Sequence, residues 1–174
     1  MSEPIEIVAY DHNWPVRYEL ERPLIVGALG AELRDVQHIG STAVRGLGAK
    51  PVIDILAAVD WLGPAAAYRE RLEPLGYQHR SHAEDADRLF FWKGSPEAFH
   101  VHVVTYGSWT YRRHLLFRDY LLAHPAVAQQ YERLKRELAA EAGTNRDRYA
   151  ASTIEFVDSI VARALATAHG SDHA

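Results

Sequence analysis

HIGSTAVRGLGAKPVIDILAAV, residues 38–59, is the stretch on which the fold turns. It divides into a strand, a glycine-punctuated turn and a second strand. From Val52 to Val59 the residues are apolar except for Asp54. Such a run suits a strand covered on both faces better than one half open to water. The pattern predicts that strands 35–40 and 51–59 lie side by side at the centre of a sheet. A carboxylate inside that run is costly to bury unless hydrogen-bond donors, a cation or a metal meet it, so Asp54 demands a partner. Gly40, Ser41 and Thr42 close the first strand with turn N–H groups and two hydroxyls, a combination able to hold phosphate or another anion.

Outward from this stretch, residues 5–9 alternate weakly and read as a short edge strand. Asp11 or Asn13 can cap a helix with Pro15 in its first turn, and Pro23 should kink that helix or restart it as far as Leu33. Downstream, 65–75 reads as a helix closed by Gly76, 77–82 as a strand and 82–87 as a charged loop. The aromatic segment 89–92 and FHVHVVT, 99–105, read as an antiparallel hairpin at the sheet edge. Everything after Ser108 is helical in pattern. Residues 109–124 are apolar on most sides, which predicts a largely buried helix broken at Pro125. Val127, Tyr131, Leu134 and Leu138 then share one side, with Lys135 at the margin of that stripe. Thr144 and Asp147 have capping-box spacing and open a last helix carrying Ile154, Val157, Val161 and Leu165 inward. The order predicts an α+β domain: a mixed β-sheet covered by helices, with a helical C-terminal third, in one domain over 1–169. Residues 170–174 read as a flexible tail.

At 174 residues the chain suits a single core. It has no cysteine, which excludes thiolate metal sites and cysteine nucleophiles. The net charge of −4 argues against strong nucleic-acid binding, which needs many phosphates neutralised by Lys and Arg. There is no signal-like start and no long apolar span, so the expectation is a cytoplasmic protein with no membrane partner. Oligomeric state is not legible.

His100 and His102, one residue apart on a strand, project to one face and could chelate zinc, with His38 or Asp54 as the third ligand; imidazoles in a sheet are also commonly held by carbonyls or carboxylates. Arg118 shares a helical face with Tyr111, Leu115 and Leu122, a costly position unless an anion meets it. Arg88 and Lys93, at the two ends of RLFFWK, and Lys50 before Pro51 are further cations. If these surround phosphate, they should converge on Ser41 and Asp54.

The run HIGST, GL, AKP and IDI resembles the GrpB family of small bacterial proteins. The likeness continues through YDHNWP, HVHVV, FRDYLLAHP, YERLK and YAASTIEFV. It implies the nucleotidyltransferase fold and a cleft. Enzymes of that superfamily pair a Gly-Ser turn with two carboxylates, two residues apart, that hold divalent metal such as magnesium against nucleotide phosphates. Gly40-Ser41 and Asp54 match. Leu56 stands where the second carboxylate belongs, and the later strand offers His100 and His102. Arg45 replaces the family's usual proline and reads as a solvated arginine. Family members also occur fused to dephospho-coenzyme A kinase, which implies a nucleotide or coenzyme context.

Three functions remain open on this reading. The first is a module binding a nucleotide or other phosphorylated small molecule through Gly40, Ser41, Thr42, Lys50, Arg88, Lys93 and Arg118. The second is a metal-dependent nucleotidyl or phosphoryl transferase with Asp54 catalytic and magnesium as cofactor. The third is a metal-binding protein using His100, His102 and Asp54. The missing carboxylates favour the first.

Overall fold

The computed structural model describes residues 4–83 and 86–170. Five strands form one mixed sheet: β1 (Leu33–Ile39), β2 (Ile53–Val59), β3 (Gln78–Arg80), β4 (Arg88–Lys93) and β5 (Phe99–Thr105). Their order is β1-β2-β5-β4-β3. β2 and β5 run parallel, and the other neighbours are antiparallel. The two strands of the opening stretch are adjacent, as their sequence predicts, and β2 is interior. β1, however, is an edge strand, and the middle position belongs to β5. The antiparallel pair β4 and β5 therefore lies inside the sheet, and the three-residue β3 forms the other edge. FHVHVVT carries two histidines and a threonine, yet residues 101–104 are all buried, so it too fits a position with neighbours on both sides.

Helix α1 (Asn13–Leu29) runs unbroken past Pro23. Proline removes the N–H that would bond the Glu19 carbonyl, but both residues face water, which satisfies that carbonyl. Trp14, Tyr18, Ile25 and Leu29 make its buried stripe. A short 3₁₀ turn, Gly30–Glu32, replaces the expected continuation to Leu33. Helix α2 (Ala65–Leu72) passes through a second such turn to Gly76, whose φ of +91° is the left-handed stop that only glycine adopts freely. Segment 5–9 contributes one isolated bridge, Val8 to Ala49, rather than a strand.

Helices α3 (Trp109–Ala123), α4 (Pro125–Ala142) and α5 (Arg146–Gly170) follow. α3 is half exposed rather than buried. Phe117 and Leu121 are its buried residues, while Trp109 and Leu122 are 48 % and 45 % exposed, because the sheet and the other helices cover one side of it. Asn145, not Thr144, caps α5, its Oδ1 accepting from the Arg148 N–H at 2.9 Å. Ile160 and Val161 carry the packing of α5, and Ile154 is 52 % exposed. Residues 171–174 of the expected tail and 84–85 of the charged loop lie outside the described residues.

The sheet separates two cores. Ile53, Ile55, Ala57 and Val59 of β2 join Val101, Val103, Leu89 and Phe91 against α1 and α2. On the other face Leu56, Ala58 and Val104 meet Ile39 and, from α3, Tyr111 and Leu115. Beyond them Val44 and Leu47 of the glycine-rich turn sit among Phe117, Leu121, Tyr131 and Ile160. The chain after Ser108 thus folds back over the turn and roofs the face that carries Asp54.

Candidate functional site

Parallel pairing of β2 with β5 sets Asp54 opposite His100 and Leu56 opposite His102. Alternation puts Asp54, His100 and His102 on the α3 side of the sheet. His102 Nε2 lies 3.1 Å from Asp54 Oδ1, and His100 Nδ1 lies 3.3 Å from the same oxygen. The chain of contacts extends at both ends. His100 Nε2 is 2.8 Å from Glu97 Oε2, and Glu97 is also bound by Arg80 at 2.6 Å. An Arg88 guanidinium nitrogen stands 3.1 Å from His102 Nδ1.

These contacts dictate protonation. Arg88 can only donate, so His102 Nδ1 accepts, and the ring is the neutral tautomer whose Nε2–H donates to Asp54. Burial depresses the His102 pKa, outweighing the pull of Asp54. His100 faces a carboxylate from each nitrogen. Burial alone would lower its pKa, but Asp54 and then Glu97 raise it, so it is held as the imidazolium. Burial would in turn raise the Asp54 carboxyl, yet the hydrogen bonds and charges of His100 and His102 hold it well below the usual carboxylate range. Asp54 is an ionised carboxylate with imidazole partners.

Gly40 explains how close the turn comes. Its φ is +71°, and a β-carbon there would stand 2.8 Å from Asp54 Oδ2. Gly46 has a left-handed φ of +83°. Gly48 does not; it is required by contact, since a β-carbon would fall 2.5 Å from Glu132 Oε1 and 2.8 Å from the Val8 carbonyl. Thr42 Oγ1 donates to the Val52 carbonyl at 3.1 Å and lies 3.0 Å from His38 Nε2. The hydroxyl proton is thereby used, so His38 donates to Thr42. The imidazole is neutral, its pKa depressed to about 4 chiefly by burial.

A cavity of about 230 Å³ opens beside this turn, lined among others by Ser41, Lys50, Asp54, His100, Tyr131 and Lys135. Lys135 is 2 % exposed. Its ammonium donates to the Gly48 carbonyl at 2.6 Å and stands 4.7 Å from the centre of the Tyr131 ring. Burial pulls its pKa down to about 7; Glu132 opposes this and the Lys50 charge adds to it. Lys50 lies 4.8 Å from the Tyr149 ring centre, and burial lowers its pKa against the attraction of Asp54. Burial pushes the Tyr131 hydroxyl, hydrogen-bonded to Ser41, up to about 12. The sequence holds three lysines against sixteen arginines. Two of the three line this cavity.

Of the residues singled out from sequence, Gly40, Ser41, Thr42, Lys50, Asp54 and His100 share the cavity. His102 lies on the far side of Asp54 in a second cavity, and Arg88 stands behind it. Lys93 and Arg118 do not converge. Lys93 is on the α1 side of the sheet, paired with Glu21 and set over the Tyr77 and Phe99 rings. Arg118 finds its anionic partner in Asp119 at 2.8 Å and also holds the Gln37 side chain at 2.8 Å and the His38 carbonyl at 3.0 Å. His38 is on the α1 side as well, stacked on Tyr18 at 4.9 Å. Sequence reasoning missed Glu97, His114 and, inside the first cavity, Lys135. Lys135 falls in register with Val127, Tyr131 and Ala139, all buried at intervals of one helical turn. A lysine in that register is the signal that could have found it.

The donor set is short of oxygen ligands for magnesium. Magnesium prefers several oxygen ligands. Asp54 Oδ1 is engaged by two imidazoles, Leu56 occupies the position of a second carboxylate, and Glu97 is bound by His100 and Arg80. For zinc, His100 Nδ1 and His102 Nε2 are both bonded to Asp54 Oδ1, and the other nitrogen of each ring meets Glu97 or Arg88. Among the described residues no group of three or more His, Asp or Glu side chains is arranged to hold a metal ion.

The family model described as GrpB protein matches residues 4–163. The chain belongs to the GrpB family. Glutamate-rich protein GrpB of Alkalihalophilus pseudofirmus is 35 % identical over 89 % of this chain and 92 % of its own length. YqkA of Bacillus subtilis is 34 % identical over 88 % of this chain, which spans 45 % of that longer protein. The crystal structure of conserved protein GrpB from Enterococcus faecalis matches with a TM-score of 0.85 at 30 % identity, covering 93 % of this chain and 98 % of that one. Among the described residues no helix is long and apolar enough to cross a membrane.

Proposed function

We propose that this GrpB-family chain is a cytoplasmic binding protein for a phosphorylated small molecule, a nucleotide being the favoured class, and that it holds the phosphate without a metal. The observation that carries this reading is the charge of the cavity. Asp54 is the only acid among its described lining residues, and the His100 imidazolium offsets it. Lys50 and Lys135 are left to face an anion, whose charge would hold the Lys135 amine protonated against the burial that lowers its pKa to about 7. Ser41 adds a hydroxyl and Tyr131 a second one. A buried ammonium bonded to one carbonyl retains two N–H groups for an incoming oxygen, and charge-assisted contacts of this kind are the strong ones.

Metal-dependent nucleotidyl transfer and histidine-based metal binding are the alternatives, and the donor set speaks against both. Titration calorimetry with ATP, GTP, dephospho-coenzyme A and inorganic phosphate, each with and without magnesium, tests all three. The expected result is phosphate-dependent binding that is the same with and without magnesium. Binding that requires magnesium and disappears in Asp54→Asn, together with magnesium-dependent turnover of the triphosphate, would favour the transferase reading instead. Stoichiometric zinc that is lost in His100→Ala would establish the metal protein.

A further inference from the structure

Asp54 has a cavity on each side. The second, of about 220 Å³, shares Gly40, Asp54 and Phe117 with the first and is otherwise walled by different residues, among them Ile39, His114 and Ile154. Its chemistry is the opposite of the lysine cavity. Arg113, at its margin, is ion-paired with Asp158, and His102 is the neutral tautomer. His114 is also uncharged at neutral pH, since burial and the neighbouring His102 depress its pKa to about 3. The walls are therefore mostly apolar, with two neutral imidazoles, His102 and His114, and the Asp54 carboxylate where this cavity meets the first. Ile154 is the odd residue. It is 52 % exposed on α5, where core packing does not require it, yet it lines this cavity.

We infer that the ligand has two parts: a phosphomonoester head between Lys50 and Lys135, and a flat, uncharged ring system that passes Asp54 and lies beside His114 between Phe117 and Ile154. The inference rests on the phosphate-binding reading and adds what the rest of the molecule must be. An anionic or strongly hydrated body would lose water against these walls and meet the Asp54 carboxylate. A ring buries apolar area there and can exchange one hydrogen bond with His114.

The test is a calorimetric series of methyl phosphate, phenyl phosphate, 1-naphthyl phosphate and adenosine 5′-monophosphate against the whole chain and against Ile154→Asn, a neutral substitution at a position 52 % exposed. Affinity should rise along the series from methyl to naphthyl by about tenfold, the factor expected when roughly 60 Å² of apolar surface leaves water. Ile154→Asn should remove that rise and leave methyl phosphate unchanged. Equal affinity for methyl and naphthyl phosphate would overturn the two-part ligand while leaving phosphate binding in place. An equal loss for every compound in Ile154→Asn would overturn it too. If no member of the series binds, the phosphate-binding reading fails and this inference with it.

Discussion

Ile53, Ile55, Ala57 and Val59 point from β2 toward α1, while Asp54, Leu56 and Ala58, one residue out of phase, point toward α3. The same alternation sorts β5 into Val101 and Val103 on one side and His100 and His102 on the other. One face is a dry apolar core. The other carries an ionised carboxylate, an imidazolium and two cavities. What the difference teaches is that the strands serve as a divider: the apolar face supplies the stability that lets the polar face bury charge. Loss of packing on the first face should therefore cost stability without changing ligand chemistry on the second.

That division can be broken by substitution. Phe91, fully buried against α1, should cost the most: Phe91→Ala is expected to lower unfolding free energy by about 4 kcal/mol in urea titration. Phosphate affinity in the protein that remains folded should be unchanged. Asp54→Asn should cost somewhat less, about 2–3 kcal/mol, because it leaves the His100 imidazolium without one of its two acids. A loss below about 0.5 kcal/mol would show that Asp54 does not organise its face, since surface changes fall in that range.

The pH dependence sharpens the comparison further. His38 and His114 have folded pKa values depressed to about 4 and about 3. The unfolded chain binds protons at these positions below about pH 6.5, where the folded chain does not, so stability falls as pH drops through that value. His100 works the other way. Its raised pKa gives stability that is complete below about pH 6.5 and is lost as pH rises through the folded value. His114→Gln should accordingly flatten the loss between pH 6.5 and pH 4, by up to about 1.4 kcal/mol per pH unit. His100→Gln should instead remove the loss on the alkaline side. A His114→Gln protein that is as acid-sensitive as the parent would contradict the assigned protonation.

Much of this was legible in the sequence, and the failures follow the same alternation. HIGSTAVRGLGAKPVIDILAAV disclosed an interior strand, a glycine turn and a carboxylate needing partners, and period two put His100 and His102 on one face. Arg88 and Lys93 stand five positions apart on one strand, so they must lie on opposite faces, and parity alone separates Lys93 from the site. His38 and Ile39 are likewise split, with Ile39 facing α3. What the sequence could not carry is the sheet order. Hydrophobic runs show that a strand is interior but not which strands flank it, and so β1 was expected at the centre and β5 at the edge. Lys135 was hidden for a different reason. Tyr131, Lys135 and Ala139 mark the buried stripe one turn apart, but a lysine is expected to reach out to water from such a place. Its burial depends on the Gly48 carbonyl, 87 residues away along the chain.

The smallest expected stability effect belongs to Lys135→Met, within about 1 kcal/mol, because the cost of burying the ammonium offsets its hydrogen bond. Its effect on binding should be large, which makes it the counterpart of Lys93→Met on the opposite face. Calorimetric titration of inorganic phosphate and ATP into the two folded variants and the parent compares the faces directly. Lys135→Met should weaken binding on the order of tenfold or more, the loss of one well-shielded charge-assisted contact. Lys93→Met should leave it within about twofold, as expected for a cation whose partner is Glu21 on the α1 side. Equal weakening by both, or by neither, would contradict an anion site built on one face of the sheet.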